Sequence, residues 1–134
     1  MKYRVLPDLS NDGILYYNTL MDTVQALVPA GPFKTAHAPA LLELANKDIL
    51  CCWFAGSFEG SPDVSIVCSL LKYGSDRFGD VVKISKDPER SEQNPSLFNG
   101  PDGAVWCMYT AQKARTDGKD NMQYTSQIRL QKSF

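Results

Sequence analysis

The sequence predicts an all-β chain built from four-stranded antiparallel meanders, and three observations predict it. From residue 38 onward the apolar residues fall in short runs rich in β-branched and aromatic side chains, without helical spacing. Clusters of turn formers punctuate those runs: Asn46-Lys47-Asp48, Ser75-Asp76-Arg77-Phe78-Gly79-Asp80 and Asn99-Gly100-Pro101-Asp102-Gly103. The pattern then restarts, with 94–98 echoing 38–44, 104–112 echoing 48–57, and 125–133 echoing 63–71. A repeat of roughly 40–50 residues with four strands per unit is the pattern of β-propeller-type blades, each of which buries its apolar faces against its neighbours.

Residues 1–34 form a short N-terminal extension, with strands expected at 3–6 and 14–17 on either side of Ser10-Asn11-Asp12-Gly13. Leu20, Met21, Val24, Leu27 and Val28 fall at helical spacing, with Asn18 as N-cap and Pro29 and Gly31 as stops. One helix is therefore expected over 18–28. Residues 35–134 form the partial propeller. Its first blade, about 38–86, has strands at 40–44, 49–55, 64–71 and 81–85. A polar link at 86–93 leads to a second blade, about 94–134, with strands at 95–98, 104–110 and 124–131 and a polar loop at 111–121. The second unit lacks a fourth strand, so the chain holds about two blades, whose open edges call for further blades or for self-association into a homo-oligomer.

Composition narrows the function classes. With 134 residues the chain fits one core-bearing region of ordinary size. Lys and Arg number 14 against 15 Asp and Glu, which leaves no broad basic face for nucleic acid. No apolar run approaches the roughly 18–20 residues of a membrane span, and the first residues lack the apolar centre of a signal peptide. The expectation is a chain without membrane contact, cytoplasmic as given. Cys51, Cys52, Cys68 and Cys107 lie inside apolar runs without Cys-x-x-Cys spacing, as reduced core residues do. With a single histidine, neither a metal centre nor any cofactor is expected.

The candidate chemistry gathers around residues 35–68. Two strands running out and back bring His37, the only histidine, and the polar loop holding Ser57, Glu59, Ser61 and Asp63 to one rim of a sheet. Near-neutral titration suits His37 to proton transfer. A loop carboxylate such as Glu59 or Asp63 also commonly just closes a turn. Tyr109 and Gln112 follow the second unit's strand as Ser57 and Glu59 follow the first's, which places them as substrate contacts at the same rim. Trp53, Phe54, Trp106 and Met108 alternate within strands and belong to the core.

As an ordered set these residues resemble the sialidase-like BNR/Asp-box proteins. The set comprises His37-Ala38-Pro39, Trp53-Phe54-Ala55-Gly56-Ser57-x-Glu59-Gly60, Pro62-Asp63-Val64-Ser65-Ile66, Asn94-Pro95-x-Leu97-Phe98 and Pro101-Asp102-Gly103. The resemblance covers roughly residues 35–134 and is to the opening blades of that family. It implies a carbohydrate-active propeller with its site at the central mouth and glycoside hydrolysis as its reaction. Asp63 stands where the sialidase acid/base aspartate loop would be, and sialidases use a tyrosine nucleophile in place of the usual second carboxylate. Two departures stand out: His37-Ala38-Pro39 replaces the sialidase Arg-Ile-Pro motif, and Ser75-Asp76-Arg77-Phe78-Gly79-Asp80 is a degenerate Asp box.

Two alternatives to hydrolysis follow. Similar propellers include polysaccharide lyases that act beside a uronic acid, for which His37 would be the base and Arg90 a bidentate partner of the uronate carboxylate. The other is a non-catalytic glycan-binding or remnant protein.

Overall fold

The computed structural model describes residues 11–116 and 120–133, so the strand expected at 3–6 lies outside the described residues. The chain opens with a hairpin of β1 (Tyr16–Asn18) and β2 (Thr23–Gln25), then forms a four-stranded meander and a three-stranded one. All pairings between named strands are antiparallel.

The hairpin stands where a helix was expected over 18–28, and Asn18 explains the difference. Its side-chain oxygen accepts hydrogen bonds from the backbone N–H groups of Leu20 and Met21, as a helix N-cap would. The backbone then leaves the helical region at Asp22, where φ is +52°, and the chain turns back so that Tyr16 pairs with Gln25. The bonds that begin a helix here close a turn instead. Leu20 and Met21, expected within that helix, are exposed at the hairpin tip.

The first sheet has the strand order β3 (Thr35–Glu43), β4 (Ile49–Gly56), β5 (Ser65–Leu71) and β6 (Val82–Lys83), and the second β7 (Arg90–Asn99), β8 (Val105–Lys113) and β9 (Gln127–Ser133). A single 3-10 turn, Gln123–Thr125, leads into β9 where the sequence suggested strand from 124. This is the all-β, propeller-type arrangement the repeat predicts, one four-stranded blade and one incomplete one.

β3 and β7 both begin earlier than expected, and for the same reason. Each carries a bulge, between His37 and Ala40 in β3 and between Gln93 and Ser96 in β7. Each bulge holds a residue with positive φ directly before a proline, Ala38 (+52°) before Pro39 and Asn94 (+54°) before Pro95. Proline has no N–H to offer the ladder, and the bulge absorbs it without ending the strand. Residues 90–93 therefore lie in strand rather than in the polar link.

Strand alternation on β4 creates two cores. Cys52 and Phe54 face the second sheet and pack with Val64, Ile66, Cys107 and Tyr109. Cys51, Trp53 and Ala55 face the other way and pack with Val67 and Phe78 beneath Leu15, Val28 and Phe33 of the N-terminal segment. The segment is anchored by an isolated bridge between Ile14 and Arg77. The first sheet is thus covered on both faces. The second presents Met108, its cross-strand partner Leu130, and Ile128 two residues along β9 to solvent.

Candidate functional site

One end of both sheets forms a rim. Thr35 pairs with Gly56, Ala55 with Ser65, Arg90 with Lys113 and Ala111 with Gln127, so the starts of β3, β7 and β9, the end of β8 and the 57–63 loop share that end. Two backbone bonds tie the sheets together there: Arg115 N–H donates to the Gly60 carbonyl at 2.7 Å and Glu92 N–H to the Val64 carbonyl at 3.1 Å. The rim brings His37, Glu59, Asp63, Arg90 and Gln112 to one end of the fold, and each has a distinct environment.

Asp63 organises the loop. Its carboxylate accepts from the Ser57 backbone N–H at 3.0 Å, from the Ser57 hydroxyl at 2.6 Å and from the Ser61 hydroxyl. Partial burial acts to raise its pKa, but the bonds from Ser57 and Ser61 hold it below the usual aspartate value. Asp63 is therefore an ionised carboxylate at neutral pH. Glu59 is exposed in the same loop. Gly60 adopts φ +92°, a conformation glycine allows, and Arg115 crosses directly above it, with side-chain atoms 2.7 Å from where a Cβ would sit.

His37 is exposed on the edge strand β3, stacked on Phe54 with ring centroids 5.4 Å apart. It borders an apolar hollow of about 400 Å³ shared with Leu27, Pro39 and Trp53. A second rim hollow, of about 280 Å³, lies between Asp63, Lys83, Lys86 and Asp87.

Arg90 is engaged in the fold. Its Nη1 donates to the carbonyls of Ala111 at 2.9 Å and Thr125 at 3.1 Å, which fastens the turn before β9 to β8. Gln112 is buried, and its Nε2 finds no partner among the described residues. The Nε of Arg115 is in the same position.

Tyr109 belongs to a polar cluster between the sheets. Glu92, 1 % exposed, accepts from the Ser85 hydroxyl at 2.5 Å and contacts Arg129 Nη1 at 3.4 Å. Arg129 Nη1 also meets Asp87 at 2.8 Å. Burial, and after it the charge of Glu92, pushes the Tyr109 phenol above its usual pKa. The hydroxyl is held neutral, so this tyrosine is no activated nucleophile in this arrangement.

Sequence reasoning placed Glu92 in the link beside Arg90 and did not single out Ser85, Asp87 or Arg129. The signal was in the pairing: Tyr109 lies directly across from Arg129, and Glu92 across from Ala111, two residues along the same face of β8. Among the described residues no group of three or more His, Cys, Asp or Glu is placed to hold a metal ion. No described helix is long and apolar enough to cross a membrane.

Residues 47–131 match the family model of the BNR repeat-like domain. The match runs through both sheets and covers more than half of the chain, which belongs to that family. No curated protein matched it.

Proposed function

We propose that the chain is part of a carbohydrate-active propeller that engages a glycan at the rim, with glycoside hydrolysis as the reaction of the completed protein. The observation that carries this reading is the rim itself, where an imidazole, an exposed glutamate and an ionised, hydrogen-bonded aspartate occupy one end of the first blade. Asp63, fixed by Ser57 and Ser61 and held ionised, is suited to stabilising positive charge, and Glu59 is open to substrate. Tyr109 and Arg90 hold the fold, and Gln112 approaches the same end from β8.

Two observations favour other members of the same broad class. The exposed His37 suits the proton abstraction of a uronate-directed lyase, with Lys83 and Lys86 supplying positive charge at the rim. The engagement of Arg90 and Asp63 in hydrogen bonds suits a glycan-binding protein without turnover. Self-association through the open face of the second sheet is a further proposal, since Met108, Ile128 and Leu130 need another sheet to cover them.

The test uses oligosaccharides of neutral and acidic sugars. Reducing ends appearing without ultraviolet absorbance support hydrolysis, and an absorbing unsaturated uronate supports lysis. Binding without product, unchanged in His37→Ala and Asp63→Asn, supports the non-catalytic reading. Light scattering of the same samples reports whether the chain assembles. A protein that neither binds nor cleaves any glycan in the panel, as a monomer or assembled, overturns the proposal.

A further inference from the structure

At the end of the sheets away from the rim, Cys52, Cys68 and Cys107 line one cleft of about 580 Å³. Its other walls are largely aliphatic, among them Leu44, Leu50, Ile84 and Leu97. Cys52 and Cys68 are direct cross-strand partners on β4 and β5. Directly opposed antiparallel residues lie about 4.5–5.5 Å apart at Cα, within the span a disulfide bridges. Cys107 faces them from β8 in the same core.

The three thiols differ in access and in acidity. Cys52 is fully buried, whereas Cys68 is half-buried and open to the cleft. Hydrogen bonding to Cys107 and Cys68 pushes the Cys52 thiol up and keeps it protonated. The bond from Cys52 in turn draws Cys68 below the usual thiol value. An accessible thiol of lowered pKa beside a second thiol is the arrangement of an oxidation-sensitive pair. Cys51 lies on the opposite face of β4, in the other core, and does not line the cleft.

We propose that the cleft is a site of thiol oxidation by organic hydroperoxides, with Cys68 as the attacking thiol and Cys52 as the resolving one. The apolar walls hold the alkyl or aryl group of the hydroperoxide. The Cys68 thiolate attacks the terminal peroxide oxygen, the O–O bond breaks, and the leaving alkoxide takes up the proton that Cys68 released, giving an alcohol. Cys68 is then a sulfenic acid. Cys52 sulfur attacks Cys68 sulfur, the S–S bond forms, the S–O bond breaks, and hydroxide leaves as water with the Cys52 proton. Two thiols are oxidised and one hydroperoxide is reduced to an alcohol, with one water released.

The experiment treats the folded chain with cumene hydroperoxide or hydrogen peroxide at equal concentration, followed by intact-mass measurement and non-reducing peptide mapping. The expected result is a mass loss of about 2 Da, a peptide linking Cys52 to Cys68, and faster reaction with the organic peroxide. Cys52→Ser should stop at a sulfenic acid on Cys68 that dimedone traps, and Cys51→Ser should change nothing. Oxidation spread evenly over the four cysteines, a crosslink formed only in urea, or no preference for the organic peroxide overturns the proposal. The wild-type map decides the matter even if a serine variant fails to fold.

Discussion

Replacing Glu92 with alanine tests whether the polar cluster between the sheets holds the fold or performs chemistry. The Ser85 hydroxyl donates to Glu92 at 2.5 Å while its oxygen accepts from the Ile66 backbone N–H at 2.8 Å, so Ser85 links β5 to β7 through that carboxylate. A buried bond to a charged group is worth about 1.5–3 kcal/mol, much of it the cost of stranding the remaining donor. The Arg129 contact is long at 3.4 Å, and Arg129, 31 % exposed at its side chain, keeps Asp87, so its loss adds less than about 1 kcal/mol. Glu92→Ala should therefore cost about 3 kcal/mol, which for a chain of this size lowers the melting temperature by about 10 °C. Glu92→Gln, which still offers Ser85 an acceptor, should cost only about 1 kcal/mol. Urea unfolding followed by tryptophan fluorescence measures both. A loss under about 1 kcal/mol for alanine, or equal losses for alanine and glutamine, would refute the argument that the Ser85 bond carries the energy. An unchanged stability with loss of glycan turnover would move the cluster from the fold to the reaction.

Gly60→Ala places a methyl 2.7 Å from the Arg115 side chain at a backbone φ of +92°, and should cost about 1–3 kcal/mol in the same unfolding assay; a neutral result would mean that the 57–63 loop does not depend on Arg115. Asp63→Asn should matter only where Asp63 is ionised. Because the folded carboxyl lies below 3.8, its contribution is full above that pH and is lost as pH falls through the depressed folded value. The wild type's advantage, under about 1 kcal/mol for this exposed group, should shrink on acidification, and an advantage that grows would contradict the bonds from Ser57 and Ser61. Leu20→Ser should stay within about 0.5 kcal/mol of wild type, since Leu20 is 95 % exposed at the hairpin tip; a loss above about 2 kcal/mol would revive a docked helix.

Much of the fold was legible because strand alternation and turn residues act locally. Asn46-Lys47-Asp48 closes the β3–β4 hairpin, with Lys47 at φ +69° and its N–H bonded to the Leu44 carbonyl, as the sequence suggested. The helix at 18–28 was misjudged because its spacing and its cap were both real. What decided against it was the left-handed backbone at Asp22, which side-chain pattern does not reveal. The early starts of β3 and β7 were hidden by their prolines, which ordinarily mark strand ends and here sit in bulges. At the site, the sequence placed Asp63 in a loop where a carboxylate commonly closes a turn, and its bonds to Ser57 and Ser61 do so. The Glu92 cluster was not legible, because Ser85, Asp87, Tyr109 and Arg129 meet only once the second sheet's register is set.

The two sheets carry the same strand pattern but face different demands. β4 is apolar on consecutive residues, Cys51 through Ala55, because it has the N-terminal segment on one side and the second sheet on the other. β8 repeats that sequence pattern and has only one packed face, so Met108 on its far side meets solvent while Cys107 and Tyr109 are buried. The apolar face that β8 shares with β9 is the one on which the proposed self-association rests. The polar groups that tie the sheets together, Glu92 to Ser85 and Arg115 to Gly60, lie toward the rim, where His37 and Glu59 remain exposed. Rigid anchoring of the blades beside a few open side chains suits the proposed glycan site, because reacting groups must be held in place by residues that do not themselves react.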